Sequence, residues 1–121
     1  MTTGAWVGLV VLGGGGAVGR FTIDTAISAR REGAFPLGTF LVNIAGAFGL
    51  GLLTGAQVTG TWLFVVGTGL LGSFTTFSTW MFESERLAED GEDAAAFVSL
   101  AVSIAAGLGA AGAGWLIGAL L

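Results

Sequence analysis

The chain has 121 residues, 54% of them hydrophobic and 10% charged, with a formal net charge of −4. Soluble domains carry about 25% charged residues, so this composition is that of a membrane protein, and four arginines with no lysine provide no basic surface for nucleic acid. Cysteine and histidine are both absent, which removes disulfides, thiolate metal sites and the commonest general base; with the eight carboxylates clustered outside the apolar runs, the inventory argues against an enzyme.

The N-terminus, Met1 to Trp6, has no basic side chain. It lacks the basic region of a cleaved signal peptide, so the first apolar segment is expected to stay as a transmembrane helix. Crossing a bilayer takes roughly 20 apolar residues. The first helix is expected over about residues 5–19, continuing past Arg20 toward Ile27. Residues 28–33 then form a polar connection. Pro36 suits the first turn of a second helix, where its missing N–H costs nothing, and that helix runs to about Leu53.

The uncharged block 33–82 is too long for one span. Its best internal turn is Gln57-Val58-Thr59-Gly60-Thr61, polar and marked by glycine. A third span follows over about 62–82, broken near Gly72. Residues 83–93 hold six acids and Arg86 and are expected in water. The last span starts near Ala94 and runs to the C-terminus. The expectation is an all-α membrane protein, a single domain over 1–121 with four transmembrane helices.

Small residues recur four apart at Gly4/Gly8, Gly15/Gly19, Gly51/Gly55 and Gly114/Gly118. Such pairs let helix backbones approach closely in lipid, but among 23 glycines the pattern signals general tight packing more than a particular interface. Four thin helices do not enclose a polar pathway and also shield it from lipid. The polar patches on the second, third and fourth helices therefore suggest an oligomer, with a dimer the simplest closed assembly.

Gly72-Ser73-Phe74-Thr75-Thr76-Phe77-Ser78-Thr79-Trp80 puts five hydroxyls and three aromatic rings into nine residues. In hydrocarbon an interrupted backbone must be satisfied by protein, water or an ion, so the stretch reads as the lining of an ion pathway. Gly72 permits non-helical dihedrals, and a break there frees carbonyls that bind a cation at the midplane. Phe77 and Trp80, three apart, are able to point one way and face an anion with electropositive ring edges. The blander alternatives are packing for the rings and back-bonding to the i−4 carbonyl for the hydroxyls.

Three further groups accompany it. Thr39 and Asn43 share a helix face, followed by Gly46; the Asn43 amide offers either an interhelical hydrogen bond or two donors to an anion. Ser99 and Ser103, with Gly107 one turn on, make a short polar stripe on the last helix. Arg20 and Asp24 form either an interfacial ion pair or an electropositive vestibule.

Together, Gly14-Gly15-Gly16-Ala17-Val18-Gly19-Arg20-Phe21, the Gly38-Thr39-x-x-x-Asn43-x-x-Gly46 pattern and Thr75-Thr76-Phe77-Ser78-Thr79 resemble the Fluc/CrcB fluoride channels over essentially the whole chain. The resemblance implies passive export of cytoplasmic fluoride through the cell membrane by a multi-pass protein, an antiparallel dual-topology dimer of inverted subunits with two fluoride pathways, and resistance to fluoride toxicity. It implies a structural sodium ion on the two-fold axis, bound by the main-chain carbonyls of Gly72 and Thr75. Asn43, Thr76, Phe77, Trp80, Ser99 and Ser103 would line the fluoride path, with Arg20 and Thr39 in vestibule or structural roles.

Two positions depart from the family pattern. Trp80 stands where a second phenylalanine is usual, and Ser99 where a tyrosine is usual. A heterodimer with a paralogous subunit, this chain forming one half, is the alternative to a homodimer, and a non-conducting half is one form of it. A small multidrug-resistance-type exporter has similar length and helix count but relies on a membrane-embedded carboxylate, which is missing at mid-span here. Arg30, Arg31 and Arg86 fall in loops on one side; the positive-inside rule places both termini outside, with a bias weak enough to allow dual insertion.

Overall fold

The computed structural model describes all residues from Met1 to Leu121. Four helical stretches are long and apolar enough to cross a membrane: Thr3–Arg30, Leu37–Gly55, Gly60–Glu89 and Asp93–Gly118. The chain is a multi-pass membrane protein.

Helix α1 (Thr3–Arg30) starts where the Thr2 hydroxyl accepts the Ala5 N–H at 3.2 Å. It continues through residues 28–30, which the polarity of that stretch had suggested as loop. At 1.5 Å per residue it is about 42 Å long, so its last turns stand beyond a hydrocarbon core of about 30 Å, where serine and arginine are solvated without leaving the helix. It ends as Arg31 turns extended and Gly33 takes a φ of +123°.

Helix α2 (Leu37–Gly55) begins directly after Pro36, whose carbonyl accepts the Phe40 N–H. Its end is closed by Gln57 at φ +58° and a 2.9 Å bond from the Val58 N–H to the Leu53 carbonyl, the left-handed closure common at helix C-termini. The third span is composite. A short turn α3 (Gly60–Trp62) passes into a π-helical stretch Leu63–Leu71, then α4 (Gly72–Phe74). Residues 75–77 leave the helix, and α5 (Ser78–Glu89) resumes it. A three-residue turn leads into α6 (Asp93–Gly118).

Helices α2 and α6 form the tightest pair, with glycine against backbone. A Cβ on Gly51 would collide with the Ala111 carbonyl oxygen, and one on Gly55 with that of Trp115. In return Gly114 and Gly118 lie against the carbonyls of Phe48 and Leu52. Two of the four small-residue pairs noted in the sequence therefore make one reciprocal seam, while Gly15 has open space around it. Lipid gives no hydrophobic drive between helices, so close packing must supply the association. On the other side of the bundle Gly16 sits under Ser73 and the Leu70 carbonyl, bringing α1 onto the third span.

Only 16 of 121 residues are buried, and Val10, Val18, Phe21 and Leu108 face outward. That apolar surface requires lipid, another chain, or both.

Gly114→Ala is expected to lower the unfolding temperature in detergent. Its Cβ has no room beside Phe48 and Leu52, and overpacking of about 1–3 kcal/mol exceeds the roughly 1 kcal/mol gained in helix propensity. Gly112→Ala, with nothing within 4 Å, should instead be neutral or stabilising. A thermal-shift measurement on both variants checks the opposite signs.

Candidate functional site

The third span is interrupted at Thr75, which is extended at φ −83°, ψ 161°. Gly72 itself is helical, φ −62°, ψ −37°, and its N–H bonds to the Gly67 carbonyl in the π pattern. The break thus falls at Thr75, three residues past Gly72 and within the stretch that the sequence marked. Glycine permits such a break without imposing one; here side chains from outside the segment impose it.

Asn43 supplies the main restraint. Its Oδ1 accepts the Thr76 N–H at 2.8 Å and its Nδ2 donates to the Thr76 carbonyl at 2.8 Å. The amide thus holds both polar groups of one peptide position in the gap, as a neighbouring strand would. Thr76 in turn organises the start of α5: its hydroxyl accepts the Thr79 N–H at 3.2 Å and lies 3.1 Å from the Thr79 hydroxyl. Arg20 Nε donates to the Ser73 carbonyl at 3.3 Å. Arg20 therefore serves the broken backbone and does not pair with Asp24, which accepts from Ser28 at 3.4 Å. Ser73 and Thr75 bond back to the carbonyls of Gly69 and Leu71, the bland role for hydroxyls in helices.

The carbonyls of Gly72 and Thr75 remain unclaimed, as does the Phe77 N–H. The Thr76 N–H that would reach Gly72 in a continuous helix goes to Asn43, and the Thr79 N–H that would reach Thr75 goes to the Thr76 hydroxyl. No backbone N–H donates to either carbonyl oxygen.

Two cavities flank the break. One of about 360 Å³ is lined by Gly46, Leu71, Gly72, Thr75 and Phe77. A larger one of about 710 Å³ is lined by Thr54, Ser103, Gly107 and Trp115. Asn43 and Trp80 line both, and no charged residue lines either. Phe77 is 70% exposed and meets the Trp80 ring edge-on, centroids 5.7 Å apart. The Trp80 indole N–H donates to the Ser99 carbonyl at 3.3 Å, which restrains a ring that lines both cavities. The Ser99 side chain is fully buried, and its hydroxyl, like that of Ser103, has no hydrogen-bond partner. Buried hydroxyls are normally paired; of these two, Ser103 lines the larger cavity and Ser99 lines neither.

Thr39 belongs to the same face of α2 but points elsewhere. It is buried and donates to Glu83 Oε1 at 2.7 Å. Glu83 is only partly exposed, although the sequence placed it at the start of an aqueous segment. The signal available was its spacing: Glu83 follows Thr79 by four and Trp80 by three on one continuous helix, hence on the same face.

The family model described as CrcB-like protein, Camphor Resistance (CrcB), matches residues 7–115. The chain is 42% identical over 111 residues to a fluoride-specific ion channel FluC 2 of Mycobacterium tuberculosis, covering 92% of this chain and 88% of the relative. It is 47% identical over 120 residues to a fluoride-specific ion channel FluC 1 of Symbiobacterium thermophilum, with 94% and 97% covered. A FluC 1 of Streptomyces avermitilis is 43% identical over 119 residues, with 93% and 96% covered.

Asn43→Leu removes both bonds to Thr76 and leaves its N–H and C=O unpaired. Each unsatisfied buried group costs about 1–3 kcal/mol, so the variant should unfold well below the wild type in detergent. Asn43→Asp keeps an acceptor for the N–H but faces the Thr76 carbonyl with a second oxygen, and should also be destabilised. Unfolding midpoints equal to the wild type would release Asn43 from this role.

Proposed function

The chain belongs to the CrcB family, and on that premise we propose that it is a fluoride-selective channel through which the anion leaves the cell passively, driven by the membrane potential. It is a transport protein and not an enzyme. The observation that carries the reading is the uncharged pair of cavities beside the backbone break, both lined by Asn43 and Trp80. Fluoride is small and strongly hydrated, so its burial is costly unless donors replace its water. Candidate donors stand along these cavities: the second amide N–H of Asn43, the unpartnered Ser103 hydroxyl, and the ring edges of Phe77 and Trp80. Ser99, behind Trp80, contributes by holding the indole and by a hydroxyl free to turn. Thr76 acts through its position, because its backbone fixes the Asn43 amide.

The exporter reading requires a carboxylate at mid-span. The nearest, Glu83, is engaged by Thr39 below the cavities' lining, and the family assignment sets that reading aside.

The same reading includes an assembly of two inverted protomers in the cell membrane, either two copies of this chain or this chain with a paralogue. The unclaimed carbonyls of Gly72 and Thr75 fit a sodium ion: they are hard oxygen donors of the kind that replace a cation's hydration, and two protomers would supply four. When bound, such an ion supplies a fixed positive charge that offsets the cost of an anion in low dielectric. Arg20, on the Ser73 carbonyl, adds a second positive charge beside the break.

Liposomes loaded with fluoride or chloride at matched gradients test the ion. Rapid fluoride efflux with little chloride flux is expected; comparable flux of both, or none from well-folded protein, would sink the proposal.

Gly72→Val tests the assembly. A Cβ at Gly72 meets only the Gly67 carbonyl oxygen, at 3.7 Å, so one protomer has room for its first carbon. Loss of the dimer on size-exclusion chromatography, with helicity retained, would place the crowding beyond the protomer as the paired-break arrangement requires. A fully dimeric, conducting variant would remove Gly72 from the cation site.

A further inference from the structure

One cleft shares no lining residue with the two cavities beside the break. It has a volume of about 360 Å³, lies between the α1–α2 connection and α5, and is lined among others by Ile27, Arg31, Phe35, Phe82, Arg86 and Asp90. In a chain with four arginines in all, two meet here. The Arg86 guanidinium stands 5.8 Å over the Phe82 ring, a cation–π placement. Asp90 follows Arg86 by four residues, a spacing at which opposite charges commonly pair on a helix. Here the Asp90 N–H bonds to the Arg86 carbonyl while the two side chains both stand at the cleft. Glu83, which also borders the cleft, is occupied by the Thr39 hydroxyl. Two guanidiniums and one carboxylate are therefore left facing the space.

The depth of the cleft narrows the choice of ligand. Helix α1 outruns the hydrocarbon core, so Ile27 and Arg31, at and just past its end, stand at headgroup level. Ile27, Phe35 and Phe82 give the cleft an apolar side. A simple anion would satisfy the two guanidiniums and leave Asp90 without a partner. A ligand carrying both signs and an apolar tail meets a complementary environment. We propose that this cleft binds the headgroup of an aminophospholipid, with the phosphate on Arg31 and Arg86, the ammonium on Asp90, and the glycerol and first acyl carbons against Ile27, Phe35 and Phe82. Guanidinium forks match phosphate oxygens in geometry and charge. A primary ammonium has N–H donors for a carboxylate, which a trimethylammonium lacks. The proposal holds whichever ion the protein conducts.

The test is native mass spectrometry of the full-length protein incubated with phosphatidylethanolamine, phosphatidylcholine, phosphatidylglycerol or soluble phosphoethanolamine. Retention of phosphatidylethanolamine above phosphatidylcholine is expected, with a drop of about tenfold, equivalent to 1.4 kcal/mol, in the Arg31→Gln/Arg86→Gln double variant. Asp90→Asn should abolish the preference for phosphatidylethanolamine while phosphatidylglycerol retention stays. Should the double variant fail to fold, Asp90→Asn decides the matter, because Asp90 is exposed on the last turn of α5. Unchanged retention in the variants would overturn the proposal. Soluble phosphoethanolamine held as strongly as the lipid would overturn the membrane source. Lower ion flux in the arginine variants with lipid retention unaltered would make the cleft a mouth of the ion path and overturn it as well.

Discussion

The paired hydrogen bonds between the Asn43 amide and the Thr76 backbone are the interaction on which the rest of the structure depends. A helix interrupted inside a bilayer leaves peptide groups that lipid does not solvate, and irregular backbone persists at that depth only where protein or a cavity satisfies it. One asparagine meets the whole requirement of one residue, donor and acceptor together. Arg20 takes the Ser73 carbonyl and the Thr76 hydroxyl takes the Thr79 N–H. What these three groups leave over includes the Phe77 N–H and the carbonyls of Gly72 and Thr75, and it is the carbonyls that make a cation between two protomers physically sensible. The protomer's own side chains thus satisfy part of the break and leave these groups free.

Those contacts need the helices within a few tenths of an ångström of their places, and glycine provides this. The α2–α6 seam of Gly51, Gly55, Gly114 and Gly118 brings backbones together without intervening side chains. It sets Ser103 and Gly107 across the larger cavity from Asn43. At Gly46, a Cβ would collide with Thr75, so α2 comes close enough for Asn43, one turn earlier, to reach the gap. Gly16 does the same for α1 and thereby for Arg20. The glycine content is a condition for satisfying the break as well as for packing.

Charge is arranged around this core by exclusion. Neither cavity beside the break has a charged lining residue, and the carboxylate nearest to them, Glu83, is tied to Thr39. A neutral, donor-lined path favours a strongly hydrated anion over a proton-coupled substrate, because no group in it exchanges protons. Trp80, in the place of a usual phenylalanine, keeps its one polar atom turned away onto the Ser99 carbonyl, so toward the cavities it offers what a larger phenylalanine would.

The sequence by itself determined the four spans, the existence of a break in the third, and the polar residues that face it. Apolar length, charge gaps and glycine-marked turns are local properties, and the motifs around Asn43 and Thr75–Thr79 carried the family. Its expectations erred or stayed open where the physics was not local. Helix α1 ran on through polar residues because helix length outlasts the hydrocarbon. Within the Gly72–Thr75 stretch that the sequence marked, the break falls at Thr75 because the decisive hydrogen bonds come from Asn43, 33 residues away. Arg20, which the sequence left between an ion pair with Asp24 and a vestibule role, bonds to a carbonyl on another span. Glu83 turned from solvent to Thr39 across 44 residues. Periodicity tells which residues share a face, but only the tertiary structure decided what each face meets, because an unpaired polar group in a membrane takes its partner from whichever helix packing brings within reach.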